Sequence, residues 1–278
     1  MPAYNAGKFI NRAVQSLAES TFPCDLYIVD DGSDVPVTDV LAPHSGARVL
    51  RLEQNCGIAH ARNVGLTTIL EHPYEFVACL DADDICYPDR IARQVAFLDR
   101  HPEVAAVGVW GRHFEEASGE TICFKRTPVS PESTKKAMFS NLAVINSSVM
   151  IRTDAFRAVG LYSERYPAAE DYELFRRIAA QFAVANVPEV LIDICMSPQG
   201  ISLRRRRRQL VDRIRIQLGY FEPMALRAWL GLARTLLLLL VPASIHSRAK
   251  STNKRFPRLR GPLLADGPSH QDIRRCDA

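Results

Sequence analysis

Phe76-Val77-Ala78-Cys79-Leu80-Asp81-Ala82-Asp83-Asp84 is the most informative segment of the chain. An apolar run long enough for a buried strand turns acidic within one step. Pro88 follows and fits the first turn of a helix that buries Ile91, Val95 and Leu98. The same rhythm runs upstream. A helix carrying Phe9, Ile10, Ala13, Val14 and Leu17 on one face leads to Leu26-Tyr27-Ile28-Val29, stopped by Asp30-Asp31-Gly32-Ser33. Val49-Leu50-Arg51-Leu52 ends at Asn55-Cys56-Gly57, and a helix with Ile58, Ala61, Gly65 and Ile69 follows. Strand, loop and helix alternating in this way predict an α/β architecture with parallel strands. Ligands of such sheets bind beyond the carboxyl ends of the strands, which is where the acidic clusters fall.

Beyond residue 103 the rhythm changes. Val104–Trp110 reads as a strand, and Arg112–Glu116 with Thr121–Lys125 reads as a hairpin around Ala117-Ser118-Gly119-Glu120. Val144–Arg152 is another strand, and Thr153-Asp154 caps a short helix that stops at Gly160. Glu170-Asp171 opens an amphipathic helix with Leu174, Phe175 and Ile178 inward, and Val184–Ile194 supplies one or two more strands.

After residue 203 the composition is different in kind. The 278 residues carry 35 Lys and Arg, 31 Asp and Glu, and a net charge of +4. Residues 1–203 have a net charge of −8 and residues 204–260 a net charge of +13, with five consecutive arginines at 204–208. A helix is expected through Leu210–Tyr220, followed by the leucine run Leu236–Val241 between Arg234 and Pro242. The run is far shorter than the roughly 20 residues a spanning helix needs. Apolar surface beside cations predicts an interfacial element on an anionic membrane. With little aromatic interleaving, nucleic acid is the less suitable polyanion, and no nucleic-acid partner is expected. Residues 261–278 read as a disordered tail.

Hydrophobic residues at 47% and charged residues at 24% exclude disorder of the whole chain and a disulfide scaffold. The seven cysteines are odd in number and form no CxxC, so buried free thiols in a reducing compartment are expected. No HExxH and no P-loop occurs. No basic segment followed by an apolar one opens the chain, so secretion by a signal peptide is not expected.

Four clusters can carry chemistry. Asp81 and Asp83 stand two apart on an irregular loop and can reach one Mg²⁺ or Mn²⁺, ions that take hard oxygen ligands and complete their shell with phosphates. A bare Asp-x-Asp is also a common loop feature. Asp30-Asp31-Gly32-Ser33 can accept bonds from a base or ribose, or be a simple turn. Arg62, after Asn55-Cys56-Gly57, can neutralise phosphate, pack under a nucleotide, or be a solvated helical arginine. Glu170-Asp171 can hold a general base, or merely complement a helix N-terminus.

Taken together, Met1-Pro2-Ala3-Tyr4-Asn5, Val29-Asp30-Asp31-Gly32-Ser33, Asn55-Cys56-Gly57 with Ala61-Arg62-Asn63, Leu80-Asp81-Ala82-Asp83-Asp84 and Glu170-Asp171 resemble the family-2 glycosyltransferases over residues 1–203. The resemblance implies a GT-A fold, a Rossmann-like mixed sheet with helices on both faces. Residues 1–103 would form the nucleotide-sugar half and 104–203 the acceptor half. It implies that Pro2, Ala3 and Tyr4 lie against base and ribose, that Asp31 with Asp30 contacts the base, and that Asn55, Gly57 and Arg62 lie near the nucleotide. Asp81, Ala82 and Asp83 would meet the donor, Asp81 and Asp83 through Mg²⁺ or Mn²⁺. Asp171 would be the base, assisted by Glu170, in transfer with inversion from a nucleotide-diphosphate sugar, most often a UDP-sugar. The acceptor would be a glycan or a lipid-linked oligosaccharide at the cytoplasmic face of a membrane.

Two departures stand out. The family begins with a full strand before the Pro-x-Tyr-Asn turn, so a truncated first strand is expected, its missing part upstream of Met1. A missing central strand leaves backbone groups unpaired. In place of an aromatic–Arg–x–His stretch the chain has Ile194-Cys195-Met196-Ser197, with Ser202 or the arginines as substitutes. Alternatives are a degenerate protein that only binds a nucleotide-sugar, and a sugar nucleotidyltransferase, although the latter's Gly-rich basic loop after the first strand is absent. An aspartyl phosphatase would carry its acidic motif on the first strand.

Overall fold

The computed structural model describes residues 1–43, 45–197 and 205–240. The predicted alternation is present. Strand β1 (Pro2–Ala3) leads to α1 (Ile10–Ala18), β2 (Tyr27–Asp30), α2 (Val37–Val40), β3 (Arg48–Arg51), α3 (Ile58–Leu70) and β4 (Phe76–Ala78). Then come β5 (Ile85–Cys86), α4 (Arg90–Arg100), β6 (Val104–Glu115), β7 (Thr121–Lys125) and α5 (Pro131–Ala137). A 3₁₀ turn at Asn146–Ser148, β8 (Met150–Arg152), α6 (Thr153–Val159), α7 (Glu170–Gln181) and β9 (Ala183–Met196) complete the acidic body. The basic part forms α8 (Arg206–Gly219) and α9 (Leu226–Leu240).

The strands form two sheets. One is parallel, in the order β1-β2-β3, and the other is mixed, in the order β4-β8-β6-β9-β5 with β7 on β6. Adjacent residues of one strand serve opposite cores, because successive side chains point to opposite faces. Ala106, Ile151 and Val184 pack with Leu66 of α3, Phe156 of α6 and Leu174, Phe175 and Ile178 of α7. Their neighbours Val107, Met150 and Ala185 pack with Ile91 and Leu98 of α4. Helices therefore cover both faces of the mixed sheet. A smaller core joins Ala3 and Ile28 to Ile10, Val14 and Val37.

The first strand is short, as expected. The ladder starts at its very end, with the Val29 N–H on the Met1 carbonyl (2.9 Å) and the Asp31 N–H on the Ala3 carbonyl (2.8 Å). β1 pairs with β2 and β4 pairs with β8, so the strands form two sheets where one was expected. A cavity of about 470 Å³ lies between the halves, lined by Tyr27 and Val29 on one side and Phe76, Val77 and Ala78 on the other.

Other differences have local causes. The strand and first hairpin arm expected at 104–116 are one strand, β6, whose register shifts at His113/Phe114. Val144–Arg152 is not a continuous strand, because Asn146–Ser148 turns there. Pro88 precedes α4 rather than occupying its first turn. The chain runs helically through Arg234, which does not bracket the leucine run. Cys24 and Cys56 are free but exposed, since they sit in loops, while Cys79, Cys86 and Cys195 are free and at least half-buried. Cys123 lies on the outer strand β7. Among the described residues no helix is long and apolar enough to cross a membrane. Ser202, the 241–260 part of the basic stretch and the tail 261–278 lie outside the described residues.

Candidate active site at the strand ends

The turn after β2 is built by its acids. Asp30 is fully buried and accepts from the backbone N–H groups of Ser33 (2.9 Å) and Val37 (3.0 Å), and from Arg51. Burial opposes its charge, but the bonds from Ser33, Val37 and Arg51 outweigh that and hold its carboxyl below the usual range. Asp30 therefore braces the turn from inside, and Asp31 beside it is the more accessible partner of the next loop. Asp31 reaches across to the next loop. It accepts from the N–H groups of Cys56 (2.7 Å) and Gly57 (3.0 Å) and from the Asn55 amide (3.1 Å). Gly57, at φ 94°, caps α3 in a conformation that disfavours side chains. Ala3 is buried beneath this corner, Pro2 is half-buried, and Tyr4 is half exposed above it.

The acidic loop after β4 is fixed from below. The buried Arg90 donates to the Cys79 carbonyl (2.6 Å) and to Gln94, which in turn holds the Val107 and Ser148 carbonyls (2.7 and 2.8 Å). The Asp84 N–H closes the turn on the Asp81 carbonyl (3.2 Å). Asp84 is buried and accepts from the Cys195 N–H (2.9 Å), so it ties the loop to β9. Burial first, then the charges of Asp81 and Asp83, push its carboxyl well up. Asp81 and Asp83 stay partly exposed, and Ala82 between them is buried. Burial, then repulsion by Asp81, pushes Asp83 up to about 6. Among the described residues no three Asp, Glu, His or Cys groups gather to hold a metal alone. Two adjoining carboxylates with excess negative charge suit a Mg²⁺ or Mn²⁺ that shares its shell with phosphate oxygens.

Glu170 and Asp171 form the first turn of α7, where the helix dipole favours carboxylates. Glu170 is buried, while Asp171 is partly exposed and accepts from the Tyr172 N–H (2.6 Å). Burial, then the charge of Asp171, pushes Glu170 up to about 7, with Arg62 opposing. The turn is held from outside by α8. Ile216 packs on Ala169 and Tyr172, and Tyr220 donates to Glu173 (2.9 Å).

Arg62 joins these parts. Its guanidinium donates to Asp81 (2.9 Å) and to Glu170 (3.0 Å), with only 7% of the side chain exposed. It is not a solvated helical arginine. Asn146 and Tyr162 had no motif to announce them, whereas Asn63 stands in the Ala61-Arg62-Asn63 motif. Asn146, with its amide oxygen turned toward Arg62, accepts from both Nη atoms (3.0 and 2.8 Å). Tyr162 lies under the guanidinium, and Asn63 pairs with the Tyr162 backbone through two bonds of 2.9 Å. Asn146 left a fainter sequence signal, a polar triplet inside the apolar run 143–151.

Residues 1–160 match the sequence profile described as glycosyl transferase family 2. An uncharacterized glycosyltransferase of Haemophilus influenzae is 28% identical over 204 residues, covering 71% of this chain and 74% of that protein. The amylovoran biosynthesis glycosyltransferase AmsE of Erwinia amylovora is 29% identical over 205 residues, covering 70% and 74%. The crystal structure of S. aureus TarS with UDP-GlcNAc superposes with a TM-score of 0.62 at 20% identity, over 84% of this chain and 70% of that one. The mannosyltransferase PcManGT of Pyrobaculum calidifontis, with GDP-Man and Mn²⁺, gives 0.61 at 17% identity, over 90% and 71%. The architecture is the expected GT-A fold.

Proposed function

The chain belongs to glycosyl transferase family 2 and is a glycosyltransferase, and on that premise we propose that it moves a sugar from a nucleotide-diphosphate donor to an acceptor hydroxyl with inversion. The observation that carries the reading is the single guanidinium of Arg62 between Asp81 and Glu170. It brings the acidic loop after β4 and the first turn of α7 into one site, although 89 residues separate them in the chain.

In this reading residues 1–103 bind the donor and residues 104–203 the acceptor. Pro2, Ala3 and Tyr4 form the shelf for base and ribose. Asp31, Asn55 and Gly57 lock the two loops that border it. Asp81 and Asp83, with Ala82 between them, receive the ribose and diphosphate. Asp83 and Asp81 would hold Mg²⁺ or Mn²⁺ together with the diphosphate, and the ion supplies Lewis-acid stabilisation of the leaving group's charge. Asp171 takes the proton of the acceptor hydroxyl. The hydroxyl oxygen bonds to the anomeric carbon from the face opposite the donor bond. That bond breaks, and its electron pair leaves on the diphosphate. Glu170, beside the base, sets the local charge.

A UDP-sugar is the first donor to try. TarS is titled with UDP-GlcNAc and PcManGT with GDP-Man and Mn²⁺, which supports a nucleotide-sugar and a divalent ion. AmsE is named for amylovoran biosynthesis, which supports a surface polysaccharide or lipid-linked acceptor. Residues 204–260 then hold the enzyme on the inner face of an anionic membrane. What supports this is the outer side of α9. Leu226, Trp229, Leu230, Leu236, Leu237 and Leu240 recur at helical spacing and are exposed, while Ala228, Gly231 and Thr235 face inward. Arg206, opening α8, lies against the Leu238 carbonyl (3.3 Å), which sets the start of the arginine-rich segment beside the leucine end of that stripe.

Calorimetry with UDP and GDP tests the donor site. Binding that needs Mn²⁺ or Mg²⁺ and is lost in Asp83→Ala supports the reading. Binding indifferent to both the ion and Asp83 sinks the metal assignment.

A further inference from the structure

Both Nη groups of the Arg62 guanidinium are taken up by side chains of this chain. Each Nη carries two hydrogens. Those of Nη1 point to Glu170 (3.0 Å) and Asn146 (3.0 Å), and those of Nη2 to Asp81 (2.9 Å) and Asn146 (2.8 Å). One face lies over the Tyr162 ring, 5.2 Å from its centroid. Asn63, the next residue of α3, holds the Tyr162 backbone in place through its amide. An arginine matched in this way on both Nη groups and one face is a fixed bracket.

We propose that Arg62 is a positioning residue, a buried fork that sets Asp81 at the end of β4 against Glu170 in the first turn of α7. Asn146 and Tyr162 hold the fork in its plane. The proposal rests on the transferase reading above for the chemistry it serves. Asp171 follows Glu170 on the same turn, so anything that lets Glu170 drift also moves the base relative to the donor. A displacement of about 1 Å can cost about 100-fold in rate. Lysine cannot substitute, because a point donor on a flexible stem does not span both carboxylates in one plane.

The test uses Arg62→Lys and Arg62→Met in the full chain, with Glu170→Gln, Asp81→Asn and the corresponding double variants. Urea midpoints give a readout that needs no activity. Each Arg62 substitution lowers the midpoint, and each double variant departs clearly from the sum of its two single variants, the mark of directly interacting groups. Additive midpoints in both cycles overturn the bridge, whatever the protein's activity. If Arg62→Met does not fold, Arg62→Lys carries the cycles.

With a donor that the wild type turns over, Arg62→Lys loses roughly 100-fold in kcat while the donor KM stays within about twofold. A raised donor KM with kcat kept means that Arg62 touches the donor, and overturns the positioning role. Coupled midpoints with both constants unchanged overturn it too, because the bridge then serves the fold alone. A wild type that turns over no donor counts against the transferase reading, and the midpoint cycles still judge the bridge.

Discussion

Glu170→Gln should change how stability depends on pH, and the size of the change follows from the site. The Glu170 side chain is 10% exposed. Burial, then the adjacent Asp171, raise its carboxyl from 4.5 to about 7, although Arg62 pulls the other way. Between those values the native state binds more protons than the unfolded chain, so this group makes stability fall as pH rises through the window. A gap of about 2.5 pH units at about 1.4 kcal/mol each gives roughly 3–4 kcal/mol over the whole titration, of which about 3 falls between pH 4.5 and pH 7.5. Glutamine has no proton to lose. Relative to wild type, Glu170→Gln should therefore gain about 3 kcal/mol between pH 4.5 and pH 7.5. Urea unfolding at half-unit pH steps measures it. Asp83 is pushed up to about 6 and titrates in the same window, so the difference between the two proteins is the quantity to read. Curves that stay parallel within about 1 kcal/mol, or that converge in the opposite direction, refute the reasoning.

Further outcomes follow from the same geometry. Asp83→Ala and Asp171→Asn should each abolish sugar transfer while leaving the unfolding midpoint close to wild type; normal turnover in either, assayed with the right donor, removes that residue from the chemistry. Gly32 has φ +68°, and an added Cβ would lie 2.3 Å from the Gln54 carbonyl carbon, whereas Gly46 at φ +69° has open space. Gly46→Ala should cost only the left-handed penalty of about 1–2 kcal/mol, and Gly32→Ala about 1–3 kcal/mol more, by thermal or urea unfolding. Leu230 and Leu237 are 60% and 63% exposed, so Leu230→Glu with Leu237→Glu should fold normally. That variant should no longer co-sediment with anionic vesicles; unchanged binding, or wild-type binding that is equal on neutral vesicles, defeats the membrane assignment.

The sequence was most legible where period and punctuation agree. Phe76–Leu80 running into acids, and Ile58–Ile69 after Gly57, announced β4 and α3 because burial and helix start are both local signals. The carboxylates of the site were legible for the same reason, as they end strands or open a helix. What the sequence hid is partnership. Asp30 and Asp31 look alike in the chain, yet one is turned into its own loop by Ser33 and Val37 and the other is turned across to Cys56 and Gly57. Arg62 looks like any cation on a helix until Asn146 and Tyr162 arrive from distant segments to close around it. The division of the strands into two sheets, with a cavity between them, was not legible.

The central claim is that Asp81, Asp83, Glu170 and Asp171 form one site for sugar transfer. The measurement that tests it most directly is product analysis over a panel of nucleotide-diphosphate sugars, UDP-sugars first, with Mn²⁺ or Mg²⁺ and polysaccharide or lipid-linked acceptors. The account predicts acceptor-dependent release of the nucleoside diphosphate, suppressed by chelation, with the new linkage inverted at the anomeric carbon. Release of pyrophosphate, retention of the anomeric configuration, or tight donor binding with no transfer to any acceptor would contradict it.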